Sequence, residues 1–177
     1  IDNEGAARHA VEHLIGLGHR RIAHISGPVP ELMSINRRDG YRKAMAAANL
    51  PVPAGYEQTG DYLLHTGQRL CRALFDLPEP PTAIFVANDE MAFGVIHELR
   101  KLGVDVPGQV SVVGFDDLFL SEAFYPPLTT VSQPRADIGR AAMNMLLDLL
   151  SGGPAPRLPV MMPTTLKVRG TTAPAPK

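Results

Sequence analysis

Apolar positions along the chain switch between helical spacing and strand-like spacing several times over. Ala7, Val11, Leu14 and Ile15 predict a helix over residues 5–17, with Gly16 and Gly18 punctuating its end. RIAHIS, residues 21–26, alternates and reads as a strand closed by Gly27–Pro28. Residues 35–49 read as a helix opened by Arg37–Arg38 and carrying Tyr41, Ala44, Met45 and Ala48. A short strand over 56–60 precedes a helix over 65–76, which Pro78, Pro80 and Pro81 break. TAIFVA, residues 82–87, is a continuous apolar run, as in a strand buried on both faces of a parallel sheet. The next helix, 89–102, lines up Met91, Val95, Leu99 and Leu102 and ends at Gly103. VSVVG, residues 110–114, is a second buried strand. Residues 115–127 read as a polar and aromatic loop and 128–131 as a short strand. A helix over 134–150 is entered through Pro134 and turns Ile138, Ala142, Met145 and Leu149 one way. Val160–Met162 and Leu166–Val168 are short strand candidates, and the terminal TTAPAPK reads as frayed.

Strand–helix–strand repetition of this kind predicts an α/β fold with a mainly parallel sheet. Two features depart from a regular run of βα units. The chain opens on a helix with no strand before it, and the helix over 134–150 follows the strand that leaves the run. Both point to strands that belong upstream of residue 1. The chain also does not begin with Met, as in a piece of a longer protein.

Composition narrows the function class. With 177 residues, 45% of them hydrophobic, the chain is long enough for one ordinary globular domain or two small lobes. Seventeen Lys and Arg against 18 Asp and Glu leave a net charge of −1, which argues against a generally basic nucleic-acid binder. Cys71 stands alone, so no internal disulfide and no cysteine zinc site is expected, in keeping with a reducing compartment. No apolar run reaches the roughly 18–20 residues of a membrane span. The opening IDNEGAARHAVEHL is mixed and acidic, unlike a signal peptide.

In open α/β sheets, ligands bind outside the carboxyl ends of the strands. Polar residues fall at several such ends. Asn88 and Asp89 can cap the following helix, and the Asn88 amide could also serve a ligand hydroxyl. Asp116–Asp117 could bind Mg²⁺ in phosphoryl chemistry, accept vicinal sugar hydroxyls, or shape a turn. No phosphate-binding glycine loop supports the phosphoryl reading. Arg37 and Arg38 at a helix start are unfavourable for the helix dipole, so one of them is expected to have an acid or a ligand as partner. Tyr62 either stacks on a sugar or covers the sheet edge. His9 and His13, i and i+4, with His19 and His24 nearby, are a weak zinc candidate. There is no G-x-S-x-G, Walker loop, H-E-x-x-H or G-x-G-x-x-G at a strand-to-helix junction, so an enzyme is the less favoured class.

The stretches AVEHLIGLGHRRIAHISGP, RRDGYRKAM, TAIFVANDEMAFGVIHELRKLGVDVPGQVSVVGFDDL and PPLTTVSQPRADIGRAAMNMLLDLL resemble the effector-binding domain of LacI/GalR-type transcriptional regulators. The resemblance covers roughly residues 3–172, with the motifs in the family's order. It implies a periplasmic-binding-protein-like fold, a Rossmann-like parallel sheet flanked by helices. Residues 3–131 would form the C-terminal lobe, 132–160 a crossover segment of the N-terminal lobe, 161–172 a returning strand, and 173–177 a tail. It implies a small sugar-like effector held by Arg37, Tyr62, Asn88, Asp116 and Gln133. It further implies a cytoplasmic homodimer, operator DNA bound by a part outside these residues, and no cofactor, metal or membrane. Glu31 and Met33 stand where sugar-responsive members often carry small hydroxyl residues, so the resemblance does not fix the effector. A solute-binding protein with the same lobes is the alternative reading.

Overall fold

The computed structural model describes residues 1–154 and 159–176. Five strands, β1 (Ile22–Ser26), β2 (Glu57–Thr59), β3 (Ala83–Val86), β4 (Ser111–Asp116) and β5 (Thr129–Ser132), run parallel in the order β2-β1-β3-β4-β5. A sixth, β6 (Thr165–Lys167), pairs antiparallel to β5, with Val131 opposite Leu166. The helices are α1 (Asn3–Gly16), α2 (Leu32–Ala47), α3 (Leu64–Phe75), α4 (Asp89–Lys101), α5 (Phe119–Ala123) and α6 (Arg135–Leu150).

Period-2 alternation along β3 sorts the core into two layers. Ala83 and Phe85 join Ile22, Val113 and Phe115 beneath α1 and α2, where Val11, Leu14, Tyr41 and Met45 are buried. Ile84 and Val86 join Ala23, Ile25 and Val112 beneath α3 and α4, where Leu70, Leu74, Met91, Val95 and Leu99 are buried. The sheet is covered on both faces, which is why its central strands β3 and β4 read as apolar runs.

Four expectations are corrected. Helix α2 begins at Leu32, so Arg37 and Arg38 sit in its second turn and the dipole argument does not apply to them. The stretch expected as loop contains α5. Val160–Met162 forms no strand. The tail is docked: Thr171 is buried and its hydroxyl donates to Val112 O at 2.7 Å, the Ala173 amide donates to Ser111 Oγ, and the Ala175 amide donates to Leu17 O. Helix α6 has no buried residue.

Candidate functional site

The sheet order brings the carboxyl ends of β1, β3, β4 and β5 to one rim. A cavity of about 310 Å³ opens there, lined by Met33, Arg37, Tyr62, Asn88, Asp116 and Gln133. All five residues expected to contact an effector therefore face one space. A larger cavity, about 430 Å³, lies elsewhere between Arg100, Val104, Asp105, Tyr125 and Pro126, away from this rim.

Each lining residue is placed by a local cause. Helix α2 buries Ser34, Arg37, Gly40, Tyr41, Ala44 and Met45 along one stripe, packed against the sheet and α1. Arg37 follows Ser34 in that stripe and is 4% exposed, a cation beside an apolar layer. Its guanidinium lies over the Phe115 ring at 3.7 Å, its Nε donates to Asn3 Oδ1 at 2.9 Å, and a terminal nitrogen donates to Ala87 O at 2.5 Å. Burial pulls its pKa below the usual value, opposed by the charges of Asp116, Tyr62 and Asp89.

Asn88 caps α4, its Oδ1 accepting from Met91 N at 3.1 Å. Its amide nitrogen donates to Tyr62 O at 2.9 Å. Tyr62 itself lies in the left-handed region, φ 70°. The Tyr62 hydroxyl pairs with Ser34 Oγ at 2.7 Å, and the ring lies against Gly27, where a Cβ would stand 2.2 Å from Cζ. A glycine is required at that close approach.

Asp116 also has left-handed backbone, φ 122°, and Asp117 follows at φ 54°. The Gln133 side-chain nitrogen donates to Asp116 Oδ1 at 2.6 Å, and Arg37 stands 3.9 Å from the same oxygen. Burial raises the Asp116 pKa to about 6; Asp89 adds to the rise, and Arg37 and Gln133 oppose it. Strained backbone at Tyr62, Asp116 and Asp117 clusters where the polar side chains converge.

Asp116 and Asp117 do not act as a pair. Arg169 donates to Asp117 Oδ1 at 2.7 Å, and Arg135 donates to its carbonyl at 2.6 Å. Asp117 titrates below the usual range because its bonds to Arg169 and Ser132 outweigh burial. Among the described residues no group of three or more His, Cys, Asp or Glu could hold a metal. His24, one of the zinc candidates, lies in the core between Tyr41 and Phe85, and His13 pairs with Thr172 Oγ1 at 3.2 Å. Burial lowers the His24 pKa to about 4, so it is neutral at pH 7.

Sequence reasoning missed the supports: Asn3 and Phe115 under Arg37, Ser34 behind Tyr62, Arg169 on Asp117, and Asp89, expected as a helix cap. Only Phe115 carried a usable signal, since strand alternation puts it on the face of β4 that α2 covers.

Residues 11–172 match the periplasmic binding protein-like domain family. The chain is 39% identical over 172 residues to the HTH-type transcriptional repressor CytR of Escherichia coli strain K12, covering 97% of this chain and 50% of that protein. It is 39% identical to catabolite control protein A of Priestia megaterium, covering 97% and 52%. Over 142 residues it is 40% identical to the ribose operon repressor of Escherichia coli strain K12, covering 80% and 43%. The chain thus spans about half the length of the curated relatives it matches. Among solved structures, a dimeric lac repressor with an 11-residue C-terminal deletion superposes with TM-score 0.93 at 33% identity, over 100% of this chain and 64% of that one. A complex of the transcriptional regulator CelR with cellobiose superposes with TM-score 0.91 at 37% identity, over 97% and 52%. With this fold, this rim of polar residues and these relatives, the chain belongs to the periplasmic binding protein-like domain family, in the form carried by LacI-type transcriptional regulators.

Proposed function

We propose that this chain is the effector-binding part of a DNA-binding transcriptional regulator, and that its effector is a small polyhydroxylated, sugar-like metabolite. The observation that carries the reading is the convergence of Arg37, Tyr62, Asn88, Asp116 and Gln133 on one cavity. A carboxylate accepts from two vicinal hydroxyls, a guanidinium donates to them, and an aromatic ring covers an apolar sugar face. The 3.9 Å between Arg37 and Asp116 Oδ1 exceeds hydrogen-bond length, and a hydroxyl seated between them satisfies both. Effector binding would bias one arrangement of the whole protein and so change operator affinity through a DNA-binding part outside these residues. A cytoplasmic homodimer is part of this reading, and among the described residues no helix is long and apolar enough to cross a membrane.

The lobe assignment is part of the proposal. Residues 3–131 with 161–172 form the C-terminal lobe, and 132–160, of which 155–158 lie outside the described residues, crosses into an N-terminal lobe. The bare flank of α6 supports it: Met143, Leu146, Leu147, Leu149 and Leu150 are all exposed, and a helix apolar on most sides is one built to be covered. The solute-transport alternative has no support among these relatives, of which CytR and the ribose operon repressor are named as repressors.

The test is a thermal-shift screen with pentoses, hexoses and disaccharides, repeated on Asp116→Ala and Arg37→Ala. A sugar present at about 100 times its Kd stabilises by about 2.7 kcal/mol, or roughly 5–10 °C in a domain of this size. The shift should vanish in both variants. A shift that survives them, or no shift from the whole panel, overturns the reading.

A further inference from the structure

Asp89 is fully buried, directly follows the capping Asn88, and makes no capping bond itself. Its carboxylate instead gathers donors from three parts of the fold. Oδ2 accepts from the Leu118 amide at 2.8 Å and from the Ser121 hydroxyl of α5 at 2.6 Å. Oδ1 accepts from the Thr130 hydroxyl of β5 at 2.5 Å. Gly114, beside Thr130 in the sheet, makes room for this group, since a Cβ there would stand 2.3 Å from Asp89 Oδ1.

Leu118 comes immediately after the two left-handed residues Asp116 and Asp117. Backbone of that kind persists when its surroundings over-determine it. Arg135 and Arg169 hold the turn from the outside, and Asp89 holds it from within the core. We infer that Asp89 is a positioning residue for the effector site: its carboxylate clamps the 116–118 turn to α5 and β5 and thereby sets the direction of the Asp116 carboxylate. Asp89 lies outside the set of residues that line the cavity and acts through Asp116. The inference rests on the reading of Asp116 as an effector contact.

Alanine at this position strands an amide and two hydroxyls in the core. Asparagine keeps the two bonds to its oxygen and offers its nitrogen to Thr130, whose hydroxyl can turn to accept. The experiment is amide hydrogen exchange by NMR on the full chain without ligand, with the ¹³C resonance of the Asp116 carboxyl recorded alongside. Asp89→Ala should speed exchange at Leu118 and Ser121 roughly tenfold or more relative to β1, and should move the Asp116 resonance. Asp89→Asn should return both most of the way. Wild-type exchange at Leu118, or acceleration spread evenly over β1 and β3, overturns the clamp. If Asp89→Ala does not fold, Thr130→Val, which removes one of the bonds, gives the same readout with a smaller expected effect in the same direction. Because no ligand is needed, a sugar panel that finds nothing overturns the effector reading without touching this measurement.

Discussion

At Asp116 burial and local charge pull in opposite directions. Burial dominates and lifts the carboxyl to about 6, helped by Asp89 and opposed by Arg37 and Gln133. The folded value lies above the unfolded one of about 3.9. Protonation therefore stabilises the fold; that stability is present below about pH 4 and is lost as pH rises through about 6. Asp116→Asn should accordingly raise the melting temperature at pH 7.5, by roughly 5 °C, with the gain vanishing below about pH 4. An unchanged melting temperature at pH 7.5 would contradict the burial argument. Hydroxyl donors favour the ionised carboxylate, so sugar affinity should weaken about tenfold between pH 7.5 and pH 5 by calorimetry. In Asp116→Asn what binding remains should be flat with pH. Gly27→Ala tests the ring beside it: a Cβ would collide with Tyr62, so ligand-induced stabilisation should be lost while the two core layers stay folded by circular dichroism.

Helix α6 and helix α5 teach different lessons at the scale of the element. The periodicity of Ile138, Ala142, Met145 and Leu149 was legible as a helix whose partner strands belong upstream of residue 1, and in the structure nothing among the described residues buries it. Ile138, Ala142 and Met145 border a shallow apolar groove of about 200 Å³ with Ile1, Val160 and Met162. The chain by itself should therefore self-associate, sedimenting above its 19.1 kDa monomer mass in a concentration-dependent way. The double variant Leu146→Lys, Leu150→Lys should shift it toward monomer. A clean wild-type monomer at high concentration would count against the covered-helix argument. Helix α5 was invisible in sequence because it is five residues long and lacks a side-chain cap; its place is set by Ser121 on Asp89, a contact between distant positions. The start of α2 was misplaced for a related reason, as Glu31 makes no capping bond.

Across the whole molecule, the C-terminal segment closes the sheet in a way its composition hides. TTAPAP looks unstructured, but Thr171 bridges β4 and β5, accepting from Thr129 N at 2.8 Å while donating to Val112 O. Ala173 and Ala175 tie on to Ser111 and Leu17. The buried His19 ring pairs with Ser111 Oγ at 3.0 Å and Ala173 O at 3.1 Å. Deleting residues 171–177 should cost on the order of 3–6 kcal/mol in urea unfolding, at about 1 kcal/mol net per hydrogen bond lost. Unchanged stability would mean these bonds merely replace equivalent ones to water.

Local periodicity by itself determined the α/β class, the parallel strands and most helices, because apolar spacing reports which face of an element is buried and needs no partner to be read. The motifs around Arg37, Asn88 and Asp116 also named the candidate site residues. The tertiary structure alone decided that Arg37, Tyr62, Asn88, Asp116 and Gln133 share one cavity, since residues so far apart meet only once the strands are ordered β2-β1-β3-β4-β5. It also decided that Asp117 turns to Arg169 and that Asp89 clamps rather than caps. A side chain's role in such a network depends on which donors and acceptors the packed core delivers to it, and that is settled by long-range contact rather than by neighbours in sequence.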